Sequence, residues 1–162
     1  MDPRITLVAK HSGKILTYLD SHEFIAKRDT KCLRKGVACS VLLLKEIDGE
    51  LPRIVMCVNG PVEHFHCRNI VGGCGCIHSE QKAILFLAIQ GFLRKEQSHL
   101  LLCTYSPCTN CANLIIISGF KGIIVFKYLT EHDPDGITNL IANDIPTIPF
   151  SDLEQIDNAE AD

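Results

Sequence analysis

The sequence predicts a three-layer α/β domain in which helices cover both faces of a mixed sheet of about five strands. Two patterns indicate this architecture: an early strand–turn–strand pattern, and an alternation of strands and helices in the second half. The 162 residues are 46% hydrophobic and 22% charged, which is typical of a globular domain and excludes a disordered chain. We assign residues 1–151 to a single domain and the acidic, polar residues 152–162 to a frayed tail.

The first half of the chain is expected to form a helical region followed by a β-hairpin. Apolar residues recur at helical spacing between His11 and Lys27, which fits one helix or two short ones. The stretches 36–47 and 53–58 are apolar and β-branched, and Asp48-Gly49-Glu50 between them is a strong turn signal. A polar loop rich in Gly and Cys follows at 59–77.

The second half alternates between helices and strands. Strands are predicted at 100–104, 122–129 and 145–150, and helices at 79–94, 108–118 and 133–143. Asp133 fits the N-cap of the last helix, and Pro134 fits its first position. The alternation predicts parallel pairing with right-handed crossovers, so the hairpin supplies the antiparallel edge of a mixed sheet.

Charge and cysteine usage narrow the class of protein. Lys plus Arg is 16 and Asp plus Glu is 19, so the net charge of −3 argues against binding to long nucleic-acid duplexes. The N-terminus lacks a signal-peptide pattern, and the apolar runs fall far short of the ~20 residues that span a bilayer. We therefore expect no membrane association and a cytoplasmic protein, or one in the host cytoplasm if the source is viral. Nine cysteines in a reducing compartment favour thiolate metal sites where they cluster, and inert burial for Cys39, Cys57 and Cys103.

Two short segments carry the residue types of a catalytic metal site. His78-Ser79-Glu80 begins one predicted helix, and Pro107-Cys108-Thr109-Asn110-Cys111 begins the next. Free N–H groups and the helix dipole stabilise thiolates at a helix N-terminus. His78, Cys108 and Cys111 would give Zn²⁺ three protein ligands and an open fourth position, which is the catalytic pattern. Glu80 can then accept a proton from water and return protons to a ring nitrogen and a departing amine.

Two other interpretations of these segments are a purely structural zinc knuckle and a redox pair of cysteines. A structural site usually has a fourth ligand at a fixed spacing and would leave Glu80 without a role. A redox pair would not need His78. The combined pattern His-x-Glu…Pro-Cys-x-x-Cys is the signature of zinc nucleobase deaminases.

On these residues the chain resembles the cytidine deaminase superfamily, and within it the deoxycytidylate (dCMP) deaminase branch, over about residues 28–150. The segments that carry the resemblance are 28–37, 59–61, 78–84, 106–112, 116–119, Tyr128 and 132–133. The resemblance implies an α/β/α cytidine deaminase-like fold and a homo-oligomer. It also implies hydrolytic conversion of dCMP, or of a closely related deoxycytidine nucleotide, to dUMP and ammonia, which would supply thymidylate synthesis.

The resemblance further implies roles around the substrate. The amide of Asn59 would hold the sugar hydroxyl or the base, and the main-chain N–H of Ser79 would hold the pyrimidine carbonyl. The carbonyl of Ser106 would orient the leaving amine, and Tyr128 would form a wall of the substrate site or stack on the substrate. The alternatives are an ordinary turn residue for Asn59 and a core side chain for Tyr128.

A nucleotide substrate also needs cations for its 5′-phosphate. Arg28 and Arg34 are the candidates, with Lys31 as a further one, and the alternative for each is a solvated surface side chain. The loop from Pro61 to Ile77 is short where several relatives carry insertions, so regulation by nucleotides stays open.

Four further cysteines are candidates for a second, structural zinc: Cys32, Cys67, Cys74 and Cys76. The resemblance suggests this site, since some dCMP deaminase relatives carry Cys near the positions of Cys32 and Cys67 where such a zinc binds. A Cys₄ site would clamp the Gly-rich loop against the domain. His64 and His66 are rival ligands, and unliganded thiols are the remaining alternative.

Two other functions compete with a nucleotide deaminase. A deaminase of cytosine or adenine in tRNA or single-stranded DNA uses the same chemistry but needs a cationic groove or a stacking platform. The net charge, the 6% aromatic content and the lack of Trp argue against it. An inactive, zinc-stabilised interaction module is the other alternative, and the presence of Glu80 beside all three ligands argues against that one.

Overall fold

The computed structural model describes residues 2–45, 47–71, 73–94, 97–153 and 155. Its helices are α1 (Pro3–Lys10), α2 (Ser12–Asp29), α3 (Ser79–Ile89), α4 (Thr109–Ile117) and α5 (Asp135–Ala142), with a 3₁₀ turn at Phe92–Arg94. Its strands are β1 (Ala38–Leu43), β2 (Arg53–Val58), β3 (Gly60–Pro61), β4 (Cys76–Ile77), β5 (His99–Tyr105), β6 (Gly122–Tyr128) and β7 (Thr147–Pro149). Among the helices so described, none has both the length and the apolar character that crossing a membrane requires.

The main sheet has five strands in the order β2-β1-β5-β6-β7. Strand β1 is antiparallel to both β2 and β5, whereas β5, β6 and β7 run parallel to one another. The predicted mixed sheet, with an antiparallel hairpin and parallel final strands, is therefore confirmed. Strands β3 and β4 form a separate antiparallel pair that precedes α3.

The sheet is buried on both faces, which gives the three layers. Alternate residues of β5 and β6 pack against α3, α4 and α5 on one side, for example Leu101 and Ile124. The residues between them, such as Leu100 and Ile123, pack against α1 and α2 on the other side. The continuous apolar runs at 100–103 in β5 and 123–126 in β6 are the expected consequence of helices covering both faces.

The hairpin follows the predicted turn but has a shorter first strand. Asp48 and Gly49 have φ angles of 53° and 78°, which is the left-handed pair that a two-residue turn of type I′ requires. Strand β1 begins only at Ala38, although the pattern predicted residue 36. A Cβ on Gly36 would lie 2.6 Å from the carbonyl oxygen of Ala26, so this residue packs against the end of α2.

Three other elements differ from the sequence-based expectation. Helix α1 was not predicted, although Asp2 caps it by accepting a hydrogen bond from the N–H of Arg4 at 2.9 Å. Helix α3 ends at Ile89 rather than near residue 94, and Gly91 follows with a φ of 73°. Leu153 is fully buried, although it belongs to the segment expected to fray. Most of that segment, 154 and 156–162, lies outside the described residues.

Candidate active site

The structure brings together the three residues that the sequence indicated as ligands of a catalytic metal. The Nδ1 atom of His78 lies 3.5 Å from the Sγ of Cys108 and 3.3 Å from the Sγ of Cys111. A tetrahedral zinc with Zn–N and Zn–S bonds of about 2.1 and 2.3 Å separates such atoms by about 3.6 Å. The donor set and its spacing therefore fit a zinc ion with three protein ligands.

Helix N-termini position these ligands. His78 is the N-cap of α3, and its N–H donates a hydrogen bond to Oε1 of Gln81 at 3.0 Å. Cys108 is the N-cap of α4, and Cys111 lies in the first turn of that helix. Because both helices start beside the same point, their positive dipole ends face the sulfurs and favour the thiolate form.

The protonation of the cluster is consistent with metal binding. Hydrogen bonds from the Cys111 thiol and from His78 lower the pKa of Cys108 to about 4. The hydrogen bond between the two thiols raises the pKa of Cys111, and the hydrogen bond between Cys108 and His78 raises the pKa of His78. These shifts favour a thiolate at Cys108 and keep protons on Cys111 and His78, and a bound cation can replace those two protons.

Glu80 lies beside the cluster without belonging to the group of ligand atoms. Its side chain lines the cleft but is only 3% exposed, and burial raises its pKa. The Ser79 hydroxyl donates a hydrogen bond to its Oε2 at 3.0 Å. A buried carboxyl with a raised pKa is suited to accepting and returning protons near neutral pH.

Asp133 stabilises the start of α4, a role that the sequence pattern assigned to a different helix. The pattern made Asp133 the N-cap of α5, but α5 begins at Asp135 without a side-chain cap. Instead, Oδ2 of Asp133 accepts a hydrogen bond from the N–H of Thr109 at 2.9 Å, and Oδ1 accepts one from the Thr109 hydroxyl. The expected capping is therefore wrong, since tertiary packing places this carboxylate on the helix that carries the cysteines.

The segment 130–136 holds the metal-binding loop through two more contacts. The Thr130 hydroxyl donates to the carbonyl of Ser106 at 2.6 Å, and the N–H of Thr130 donates to the Ser106 hydroxyl at 2.8 Å. A Cβ on Gly136 would lie 2.2 Å from the carbonyl oxygen of Pro107, so only glycine fits there. We call residues 130–136 the clamp segment.

The residues expected to contact a substrate do not all have free polar groups. Thr130 already uses one lone pair of the Ser106 carbonyl, so one is left for another donor. Ser79 is the first residue of α3, where backbone N–H groups have no partner within the helix. Tyr128 lines the cleft at 38% exposure, with its ring 5.3 Å from that of Tyr105 and its hydroxyl donating to Oε1 of Glu23.

Asn59 lines the cleft, but its amide is mostly used inside the protein. Its Oδ1 accepts hydrogen bonds from the Thr30 hydroxyl and from the N–H of Val37, both at 2.9 Å. Its Nδ2 donates to the carbonyl of Lys35 at 2.8 Å. Only one amide hydrogen is left for a ligand, and the main observed effect is to join β2 to the segment that follows α2.

Arg28, one of the predicted phosphate ligands, does not line the cleft. Its guanidinium makes two hydrogen bonds to the carboxylate of Asp29, at 2.6 and 2.7 Å, on the solvent side of α2. Arg34 does line the cleft, together with Lys35 and Arg68, which no sequence pattern indicated. The cleft has a volume of about 960 Å³ and also contains His78, Glu80 and Cys108 in its wall.

A second cluster joins the segment after α2 to the Gly- and Cys-rich loop that precedes His78. Its members are Cys32, Cys67, Cys74 and Cys76, whose sulfurs all lie within 4.8 Å of one another. The sulfurs of Cys32 and Cys67 are 3.9 Å apart, close to the spacing of about 3.8 Å in a tetrahedral zinc–thiolate site. The rival ligands His64 and His66 are exposed and do not belong to this group. Four thiols at this spacing fit a closed zinc site.

The thiols of this second cluster share protons unequally. Backbone N–H groups, first that of Asn69 and then that of Leu33, donate to Cys67 and lower its pKa to about 7. Burial and the neighbouring sulfurs raise the pKa of Cys76. The backbone around Cys67 therefore favours a thiolate before any metal arrives.

Comparison with known proteins defines the class. Residues 22–127 match the family described as the cytidine and deoxycytidylate deaminase zinc-binding region, and the chain belongs to this family. It is therefore a zinc-dependent deaminase, a hydrolase, and the matched region includes the ligands described above. No curated protein sequence matches the chain significantly.

Several solved structures share the fold. The apo dCMP deaminase of the cyanophage S-TIM5 is 23% identical, with a TM-score of 0.60 over 85% of this chain and 97% of its own. The Rib2 deaminase of Aspergillus oryzae is 15% identical, with a TM-score of 0.61 over 83% of this chain and 84% of its own. The guanine deaminase of Nitrosomonas europaea is 17% identical, with a TM-score of 0.51 over 92% and 83%. At these identities the similarity shows the deaminase fold but does not separate the substrates.

Proposed function

We propose that the protein hydrolyses dCMP, or a closely related deoxycytidine nucleotide, to dUMP and ammonia. The observation that carries the proposal is one cleft that holds both the His78–Cys108–Cys111 cluster with Glu80 and a set of cationic side chains. Family membership favours an aminated pyrimidine. The S-TIM5 enzyme, which shares the fold, has also been crystallised with dCMP and dUMP.

In this proposal His78, Cys108 and Cys111 hold the zinc, which when bound lowers the pKa of a coordinated water from about 9 toward about 7. Glu80 accepts one proton of the attacking water and delivers it to N3 of the cytosine ring. A second proton passes through the same carboxylate to the amine at C4. The C4–N bond breaks, ammonia leaves, and the oxygen of water becomes the new carbonyl, so atoms and charge balance.

The cleft walls supply orientation. Tyr105 and Tyr128 form an aromatic wall against which a pyrimidine can pack. The free lone pair of the Ser106 carbonyl can accept a hydrogen from the leaving amine, and the N–H of Ser79 can donate to the pyrimidine carbonyl. Burial of Glu80 excludes bulk water from the proton transfers.

The four-cysteine cluster is proposed to hold a second, structural zinc. Its four thiols leave no open position, so the ion would have no direct part in the reaction. It would instead hold together the segment after α2 and the loop before α3, both of which border the cleft.

A comparison of substrates tests the function. The purified zinc-loaded protein is assayed for ammonia release from dCMP, dCTP, deoxycytidine, guanine and a cytosine-containing oligonucleotide. We expect the highest kcat/KM with dCMP and no release from guanine. A higher kcat/KM with the oligonucleotide would support the nucleic-acid alternative instead. Ammonia release from none of the cytosine compounds would overturn the proposal.

A further inference from the structure

Three cationic side chains of the cleft form no ion pair within the part of the chain that the structure describes. Arg34, Lys35 and Arg68 are exposed, line the cleft, and make no ion pair with any carboxylate that the structure describes. Arg28 and Lys127, outside this set, each pair with an acidic side chain. Uncompensated positive charge in a cleft attracts an anionic ligand group.

The two arginines come from the two chain segments that the four-cysteine cluster joins. Arg34 lies two residues after Cys32, and Arg68 directly follows Cys67, whose sulfur is 3.9 Å from that of Cys32. Cys74 completes the link, because its carbonyl accepts a hydrogen bond from the N–H of Arg68 at 2.8 Å. The cluster therefore holds together the two backbone segments that carry Arg34 and Arg68.

Further contacts hold the side chain of Arg68 and the third cation. The position of a Cβ on Gly75 would be 3.7 Å from Nε of Arg68, so the guanidinium lies against the backbone of the cysteine loop. The Nζ of Lys35 is 3.2 Å from the centre of the Tyr105 ring, in a cation–π contact at the aromatic wall. The cations thus occupy the part of the cleft between the cysteine cluster and that wall.

We propose that Arg34, Lys35 and Arg68 form the subsite for the phosphate of the substrate, and that zinc in the four-cysteine cluster holds the two arginines in place. The inference rests on the proposed function, since it assigns the phosphate group of that substrate. Arginine forks bind a terminal phosphate with two hydrogen bonds each, and this geometry is lost if the two segments separate. The second zinc then governs preference for nucleotides over nucleosides.

The test measures binding of the product dUMP and of deoxyuridine by calorimetry, so that no turnover is involved. The ratio of the two affinities reports the phosphate contribution. We expect Arg68→Ala and Arg34→Ala each to lower this ratio at least tenfold. Arg28→Ala is the matched control, since Arg28 lies outside the cleft, and it should leave the ratio unchanged. An equal loss in Arg28→Ala would show a general charge effect and overturn the subsite.

A separate experiment tests the role proposed for the second zinc. Cys67→Ser, with its zinc content measured, should lower the dUMP-to-deoxyuridine affinity ratio at least tenfold although all three cations are present. If this variant does not fold, Cys76→Ser takes its place, with its zinc content measured in the same way. A ratio that keeps its wild-type value after loss of the second zinc would overturn the link.

These results separate the inference from the proposed function. If the wild-type protein prefers dUMP through Arg68 but deaminates no cytosine nucleotide, the function fails and the subsite stands. If it deaminates dCMP and the ratio is insensitive to all three variants of the cleft arginines and Cys67, the subsite fails and the function stands.

Discussion

The two cysteine-containing clusters of this protein have similar atoms but different supports. The first takes its three ligand atoms from the starts of α3 and α4, which pack against the sheet through fully buried residues such as Ile84 and Ile115. The second takes four sulfurs from the segment after α2 and from the loop before α3. That loop exposes large apolar side chains, with Phe65 at 70% and Val71 at 71%.

This contrast shows how support and ligand number separate a catalytic site from a structural one. The first cluster is held by a core that exists without the metal, so it can leave one coordination position open. The loop around the second cluster exposes much of its apolar surface, so the second zinc proposed above would supply the order that packing does not. A closed set of four ligands suits that role.

The largest expected effect separates chemistry from metal binding in the first cluster. Glu80→Gln should lower turnover by about 10²- to 10⁴-fold, because the amide cannot accept or return a proton. The zinc content should stay at the wild-type value, since Glu80 is not a ligand. Turnover and zinc are measured on the same preparation. Glu131→Gln, a second cleft carboxylate, is the control and should lose less than tenfold.

Counting metals compares the two clusters directly. The wild-type protein should contain two zinc ions per chain, and both Cys67→Ser and Cys108→Ser should contain one. Cys67→Ser should also lower the free energy of unfolding by roughly 3 kcal/mol or more, because its loop depends on the metal for order. Cys57→Ser, in β2 and outside both clusters, should keep two. One zinc in the wild-type protein and none in Cys108→Ser would remove the second site.

Packing behind the first cluster can be tested at the clamp segment. In Gly136→Ala the new methyl group would collide with the backbone of Pro107 and Cys108, at 2.2 and 2.8 Å. We expect a loss of about 2–3 kcal/mol in unfolding free energy and weaker zinc binding in a chelator competition. Gly13→Ala, in α2 with nothing within 4 Å, should gain about 0.5–1 kcal/mol. Equal behaviour of the two variants would contradict the clamp.

The last expected effect concerns the fold that both clusters share, and it is confined to acid pH. Burial, with a smaller contribution from Arg53, lowers the pKa of His22 to about 4. As the pH falls, the unfolded chain therefore protonates His22 before the folded protein does. The contribution of His22 to the free energy of unfolding is constant above pH ~6.5 and falls by up to about 3 kcal/mol toward pH ~4. His22→Gln should reduce this fall in denaturant titrations, whereas His132→Gln, at an exposed position, should not. An unchanged acid limb in His22→Gln would contradict the assignment.

Much of the fold could be read from local patterns. The turn at Asp48 and Gly49, strand β2 and the alternation of the last strands and helices depend on neighbours in sequence, and the structure has them where they were predicted. The shorter β1 could not be read in this way, because its start depends on the contact between Gly36 and Ala26. Helix α1 could have been predicted from the sequence, because Asp2 and Pro3 are ordinary helix-start signals.

The residues of the site also divide into those that a local motif indicated and those that it did not. The sequence predicted that His78, Cys108 and Cys111 would lie together beside Glu80, because each helix N-terminus presents its motif within one turn. Arg68 and Lys35 line the cleft although the sequence did not indicate them, and Arg28 does not line it, because facing a cleft depends on how distant segments pack.

The sequence alone thus indicated the chemistry of this protein, because the His-x-Glu and Cys-x-x-Cys motifs each lie within a single helical turn. The tertiary structure decided which contacts the residues around the site make. It placed Asp133 on α4 instead of α5, used up most of the Asn59 amide, and joined Cys32 to a loop more than thirty residues away. Those outcomes depend on contacts between segments remote in sequence, which no local pattern encodes.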